Sequence, residues 1–328
     1  MRAAMAAYGA RTAEIGEAAA DREAVRHRPA VVAKAAALLG VSPDRATLIA
    51  TTAATWAATL SRLPLRGRTV LLSAHEWGDN VRAAQWLCAR HGGTVRVGPP
   101  DDAPEAWAAA IDDSVIAVSL PLVSSVGGHL APLETITAVP RPADALVIVD
   151  AAQAYGHVPV PAADVIIGCA RKWLRGPRGI GIGVLSPRAE RVMGVSPQNF
   201  GPLDLDGAAV HGLSAALDAF DGRVTIPALA EKGARVRAMV RDAGLSVWCA
   251  PCGAITTLAI PHGRAEAVAA ALDAAGIVTK WPDAARDEPL APPSDGALLR
   301  LSAHLDTPDE ALTQAIGLVS KAVHGSPH

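Results

Sequence analysis

Val147–Leu185 reads VIVDAAQAYGHVPVPAADVIIGCARKWLRGPRGIGIGVL, and this stretch decides the fold. Ala145–Asp150 (ALVIVD) is the strongest strand signal in the chain, a near-continuous apolar run of the kind that is buried on both faces of a parallel sheet. Asp164–Gly168 and Ile180–Leu185 are further strand-like runs. Asp150 closes its strand at the carboxyl end, where open α/β sheets place their ligand sites. Gln153 follows three residues on, and Lys172 comes twenty-two residues after Asp150, just past the next strand. A carboxylate at one strand end and an amine after the next converge on one cleft. Pyridoxal 5'-phosphate (PLP) needs that pair: a lysine for the Schiff base and an acid to keep the pyridine nitrogen protonated.

Outward from this stretch the same alternation continues. Residues 1–40 are Ala-rich and helical and end at Gly40. Thr69–Ser73, Thr94–Val97 and Ser114–Leu120 read as strands, with a helix over Val81–Arg90. Residues 207–245 read as helical, interrupted at Pro227. The tail reads strand (Ala254–Ile260), helix (Arg264–Ala275), strand (Ile277–Trp281), loop (Pro282–Asp295), strand (Ala297–Ser302) and helix (Pro308–Val323). The expectation is an α/β fold with a mostly parallel sheet in a large domain and a smaller α+β C-terminal domain. The boundaries drawn from composition are 1–40 for a helical segment, 41–205 for the cofactor-binding domain and 206–328 for the small domain.

Composition removes several classes. Half of the 328 residues are apolar, which excludes a disordered chain. Thirty Lys and Arg against 32 Asp and Glu leave a net charge of −2 without a basic face, which argues against nucleic acid and for a small molecule. No apolar run approaches the ~18 residues of a membrane span. The charged N-terminus lacks the apolar core of a secretory signal, and four cysteines make no disulfide scaffold. A cytoplasmic enzyme is the expectation.

The motifs resemble the class V aminotransferase group of PLP enzymes, whose pattern runs D-x-x-Q and then S-x-H-K-x-x-G-P-x-G-x-G. Here the residues are D-A-A-Q at Asp150–Gln153 and C-A-R-K-W-L-R-G-P-R-G-I-G at 169–181. The resemblance implies a fold-type-I homodimer with its site at the interface. It makes Lys172 the cofactor lysine and catalytic base, Asp150 the partner of the pyridine nitrogen, and Gln153 a contact of the ring hydroxyl. Thr51 and Thr52, after Ala50, fall where the family holds the cofactor phosphate at a helix N-terminus. Glu76–Asn80 falls on the family's E-H-H-A-N, with Trp77 in place of the imidazole that stacks on the ring. Ser124–Gly128 matches S-N-V-x-G, with Ser125 in place of Asn, and Arg171 stands next to the lysine as a phosphate ligand. Arg300, in LRLSAHLDT, falls on the segment whose Arg clamps the substrate carboxylate, a task that suits a bidentate fork.

Within the group, the R-K-W-x-x-G-P-R-G-x-G form resembles the carbon–sulfur lyases that act on hercynylcysteine sulfoxide in ergothioneine biosynthesis. The function this implies is β-elimination from an amino-acid sulfoxide with release of pyruvate and ammonia. Aminotransferase, decarboxylase or epimerase chemistry on the same scaffold stays open, as does a PLP-binding subunit without turnover. Desulfurase chemistry fits less well, because that branch carries a nucleophilic Cys shortly before its Arg and Pro282–Leu299 contains none. Cys249-Ala-Pro-Cys252 has thioredoxin spacing, but a strand-like run follows it rather than the helix that activates such a thiol. No metal site is expected.

Overall fold

Strands form where β-branched and aliphatic runs end in turn residues, and among the described residues nine of them do so: β1 (Ala46–Ile49), β2 (Thr69–Leu72), β3 (Thr94–Val97), β4 (Val115–Pro121), β5 (Leu146–Asp150), β6 (Val165–Cys169), β7 (Gly181–Leu185), β8 (Ile255–Pro261) and β9 (Gly296–Ser302). The computed structural model describes residues 1–100 and 103–325. The first seven strands make one sheet in the order β1-β7-β6-β5-β4-β2-β3. β7 is antiparallel to both of its neighbours, and the remaining pairs are parallel, so β7 alone runs against the other six. The expected mostly parallel α/β sheet is therefore present.

Period-two alternation divides the side chains between the two faces of this sheet. Val147, Val149, Ile166 and Ile182 enter one core with Val31, Ala35 and Ala36 of helix Glu17–Leu38 and with Val210, Leu213 and Leu217 of helix Gly207–Asp218. Leu146, Ile148, Val165 and Ile167 face the other side, against Trp56 and Leu60 of helix Thr52–Ser61 and Val81, Ala84 and Leu87 of helix Gly78–His91. A third core joins β8 and β9 to helices Gly222–Asp242, Ala265–Ala274 and Asp309–His324 through Val236, Leu258, Leu299, Val268 and Ile316.

Two expected elements differ. Helix Gly222–Asp242 runs straight through Pro227, and the break falls earlier, between Asp218 and Gly222. Asp221 caps the new helix by accepting a hydrogen bond from the Arg223 N–H, and Pro227 and Arg223 are both exposed, where solvent can compensate the carbonyl that proline leaves unpaired. Ile277–Trp281 is no strand. Only Lys280 bridges to Arg300, and the second sheet is the antiparallel pair β8-β9. Gly276, in a left-handed conformation (φ 67°), and Pro282 interrupt the backbone on either side of the run, and Val278 is 95% exposed with no core to enter.

Candidate active site

Because six strands point the same way, their carboxyl ends and the loop before β7 share one edge of the sheet. That edge opens into a cleft of about 630 Å³, lined by Thr51 and Thr52 after β1, His75 and Trp77 after β2, Ser125 after β4, Asp150 at the end of β5 and Gln153 beyond it, and Arg171 and Lys172 after β6. Arg300 reaches in from β9. Every site residue named from the sequence therefore lines a single cavity, whose size is typical of small-ligand sites.

Asp150 is 7% exposed, and its Oδ1 accepts the Ala152 N–H at 2.8 Å. Burial raises its pKa, and the Lys172 charge opposes that rise. The Lys172 amine makes no hydrogen bond to the described residues, and burial lowers its pKa while Cys169 and Asp150 pull it back up. An amine whose pKa burial lowers thus stands in electrostatic contact with a buried carboxylate. At the far side, Thr51 caps helix Thr52–Ser61, its hydroxyl oxygen accepting the Ala54 N–H at 3.3 Å. The free N–H groups of that first turn lie at the cleft edge, a ready site for a phosphate, and Arg171 lines the same cleft. Trp77 lines the same wall, and its indole N–H donates to Asp79 at 3.2 Å.

Arg300 is held in place from behind. One guanidinium nitrogen donates to the Ser125 carbonyl, and Ser125 Oγ lies 3.4 Å from the same nitrogen. Burial lowers the Arg300 pKa, with Asp287 and Glu288 opposing, and its Nε is buried without a partner. A desolvated guanidinium lining a cleft is suited to an incoming carboxylate.

Several residues that shape the site were not assigned from the sequence. Glu76 is fully buried and accepts hydrogen bonds from Trp77 N–H (2.9 Å), Asn80 Nδ2 (2.9 Å) and Ser119 Oγ (2.7 Å). Burial, with nearby Asp150 adding to it, pushes its pKa up to about 7. The same Asn80 Nδ2 lies 3.4 Å from Asp150, so one amide stands between two buried acids. Glu288, from the loop before β9, accepts from Ser124 Oγ at 2.7 Å and Val126 N–H at 2.8 Å, and pairs with His75 Nδ1 at 3.1 Å. Asn80 was visible as the last residue of the E-W-G-D-N motif. Glu288 and His75 carry no local signal, being 213 residues apart.

The profile of the aminotransferase class-V family matches residues 22–216. A protein described as a probable hercynylcysteine sulfoxide lyase from Mycobacterium tuberculosis is 32% identical over 98% of this chain and 87% of its own length. The chain belongs to the aminotransferase class-V family. In fold it is similar to the cystine C–S lyase C-DES, with a TM-score of 0.84 over 97% of this chain and 92% of that one at 18% identity. A cysteine desulfurase from Thermococcus onnurineus NA1 superposes with a TM-score of 0.80 over 94% and 86%, at 16% identity.

This family member is accordingly a fold-type-I enzyme, and its cofactor is pyridoxal 5'-phosphate. The residues present fit that group: a free amine, a buried carboxylate and a helix N-terminus line one cleft. No helix among the described residues is long and apolar enough to cross a membrane.

The Cys249–Cys252 pair stands apart from this chemistry. Strand β8 follows it, and burial pushes both thiols up to about 11, the reverse of what a redox thiol needs. Replacing both with Ser is expected to leave kcat within about twofold, since neither enters the cleft lining. Steady-state turnover of the double variant checks this.

Proposed function

We propose that the chain is a carbon–sulfur lyase that removes sulfur from the β-carbon of an amino-acid sulfoxide, with hercynylcysteine sulfoxide as the preferred substrate. The observation that carries this reading is the loop before Arg300. Residues 282–299 contain no Cys, and the loop instead buries Glu288 against Ser124, Val126 and His75. Sulfur therefore has no protein thiol to receive it there and leaves by elimination. The full-length likeness to a probable hercynylcysteine sulfoxide lyase supports the same reading.

Bound in the cleft, PLP supplies an electron sink for the electron pair left at the α-carbon. Arg300 receives the substrate carboxylate and fixes the α-carbon within reach of Lys172. With PLP bound, Lys172 Nζ, whose pKa burial lowers, would be the base that takes the α-proton. Asp150 would face the pyridine nitrogen and keep its proton in place. Gln153 and Trp77 orient the ring, while Thr51, Thr52 and Arg171 hold the phosphate. The C–S bond breaks, and water releases pyruvate and ammonia. The sulfur fragment would leave at the sulfenic acid level, and two equivalents of an external thiol would reduce it to ergothioneine, ending as their disulfide with the oxygen released as water. A cytoplasmic homodimer is part of this proposal.

The test is a panel of S-substituted cysteine sulfoxides, free cysteine and common amino donors, with pyruvate and keto acids measured together. Pyruvate from sulfoxides, with hercynylcysteine sulfoxide turned over best, is the expected result. Amino transfer to a keto acid without pyruvate overturns the proposal and favours the aminotransferase reading. Arg300→Ala is expected to raise KM by about two to three orders of magnitude, the ~2–4 kcal/mol of a desolvated charge pair, with a smaller effect on kcat. Initial rates against substrate concentration check that split.

A further inference from the structure

Trp173 follows the cofactor lysine in sequence, yet its indole turns away into the protein. It is 5% exposed and lies flat on the His157 imidazole, with ring centres 3.8 Å apart and planes 9° apart. His157 is completely buried. Its Nε2 accepts the Ala254 N–H at 2.7 Å, and a backbone N–H only donates, so the ring proton stands on Nδ1. From there it donates to the Gln153 carbonyl at 2.8 Å. Gly253 permits this close approach: it is left-handed (φ 55°), and a Cβ there would meet His157 Nε2 at 2.2 Å. The imidazole therefore fixes both the Gln153 backbone and the indole plane.

The indole N–H then reaches the Gln153 side chain, donating to Oε1 at 3.2 Å. Indole nitrogen has no acceptor capacity, so only the oxygen end of the carboxamide satisfies it. The amide nitrogen is left facing Ser125 Oγ at 3.4 Å, on the cleft wall. Without the indole, the carboxamide is free to turn its oxygen toward the cleft and set two acceptors against each other.

We propose that Trp173 is a positioning residue, its indole N–H, braced by the His157 stack, holding the Gln153 carboxamide so that Nε2 donates to the ring hydroxyl of the cofactor. This rests on the reading that Gln153 contacts that hydroxyl. A donor to the ring oxygen stabilises its negative charge most when the neighbouring lysine-bound nitrogen has lost its proton. It therefore lowers the pH at which the visible absorption of the loaded enzyme changes.

The test is a pH titration of that absorption in the PLP-loaded enzyme, comparing the native chain, Trp173→Phe and Gln153→Ala. Both variants are expected to move the midpoint upward by about one unit, the worth of a hydrogen bond to a charged group. A shift in Gln153→Ala with none in Trp173→Phe overturns the positioning role and leaves the Gln153 contact standing. No shift in Gln153→Ala overturns the Gln153 contact and the proposal with it. Should Trp173→Phe fail to fold, the indole N–H signals of the seven tryptophans decide by nitrogen-15 NMR. One signal is expected to move on Gln153→Ala in the otherwise native enzyme, and seven unmoved signals overturn the proposal.

Discussion

Lys172→Ala is expected to lower kcat by about four orders of magnitude, the upper end for loss of a positioned general base, while PLP still enters the cleft without a covalent bond. The reasoning is local. Lys172 is the amine of the cleft whose pKa burial lowers, and it is in electrostatic contact with Asp150 and Cys169. Neighbouring Arg171 cannot substitute, because a guanidinium does not release its proton in this pH range. The proposed phosphate site, the first turn of helix Thr52–Ser61 with Arg171, is untouched by this change, so cofactor affinity is expected to survive through contacts that Lys172 does not make. Pyruvate release measures the first part and cofactor retained on gel filtration the second.

Asp150→Asn is expected to reduce kcat by about 10²–10³-fold, the usual cost of removing one preorganised electrostatic contact from a buried site. The amide matches the carboxylate in shape and still accepts the Ala152 N–H through its oxygen. It carries no charge, so it does not keep a proton on the pyridine nitrogen. Stability is expected to stay within about 1 kcal/mol, because a buried charge is lost along with its interactions. Glu76, which the Asp150 charge helps to push up to about 7, relaxes toward the ordinary carboxylate range when that charge is gone. Urea unfolding alongside turnover separates the two effects, and a large loss of stability would mean that Asp150 is chiefly structural.

The sequence carries the sheet and the cleft edge because both rest on local signals. Leu146–Asp150 and Val165–Cys169 are short, β-branched and buried on both faces, and each leads straight into a charged or polar residue that lines the cleft. Once Asp150 and Lys172 lie at the ends of neighbouring parallel strands, their meeting is a matter of topology. Pro227 was misjudged because proline weighs against a helix in general, whereas here an exposed carbonyl and an earlier Asp221 cap shift the break. Ile277–Trp281 has strand-like residues, but whether a third strand joins β8 and β9 depends on a free edge and a core to bury Val278, neither of which is local. Glu288 shows the limit most clearly. In sequence it is one charge in a loop rich in Pro and Asp. Its carboxylate is nonetheless buried on His75, Ser124 and Val126, contacts that follow from how the second sheet packs beside the first. Trp173 belongs to a legible motif, yet its role depends on His157 and Gln153 converging in three dimensions.

The central claim is that Lys172 carries the cofactor in the cleft at the strand ends, and borohydride reduction of the PLP-loaded enzyme followed by peptide mass spectrometry tests it most directly. Reduction turns the lysine–cofactor double bond into a stable secondary amine and marks the residue that held it. The expected result is one pyridoxyl adduct, on the peptide containing Arg171-Lys172-Trp173, and none in Lys172→Ala. An adduct on a different lysine, or no adduct in enzyme reconstituted with PLP, would contradict the account of the site.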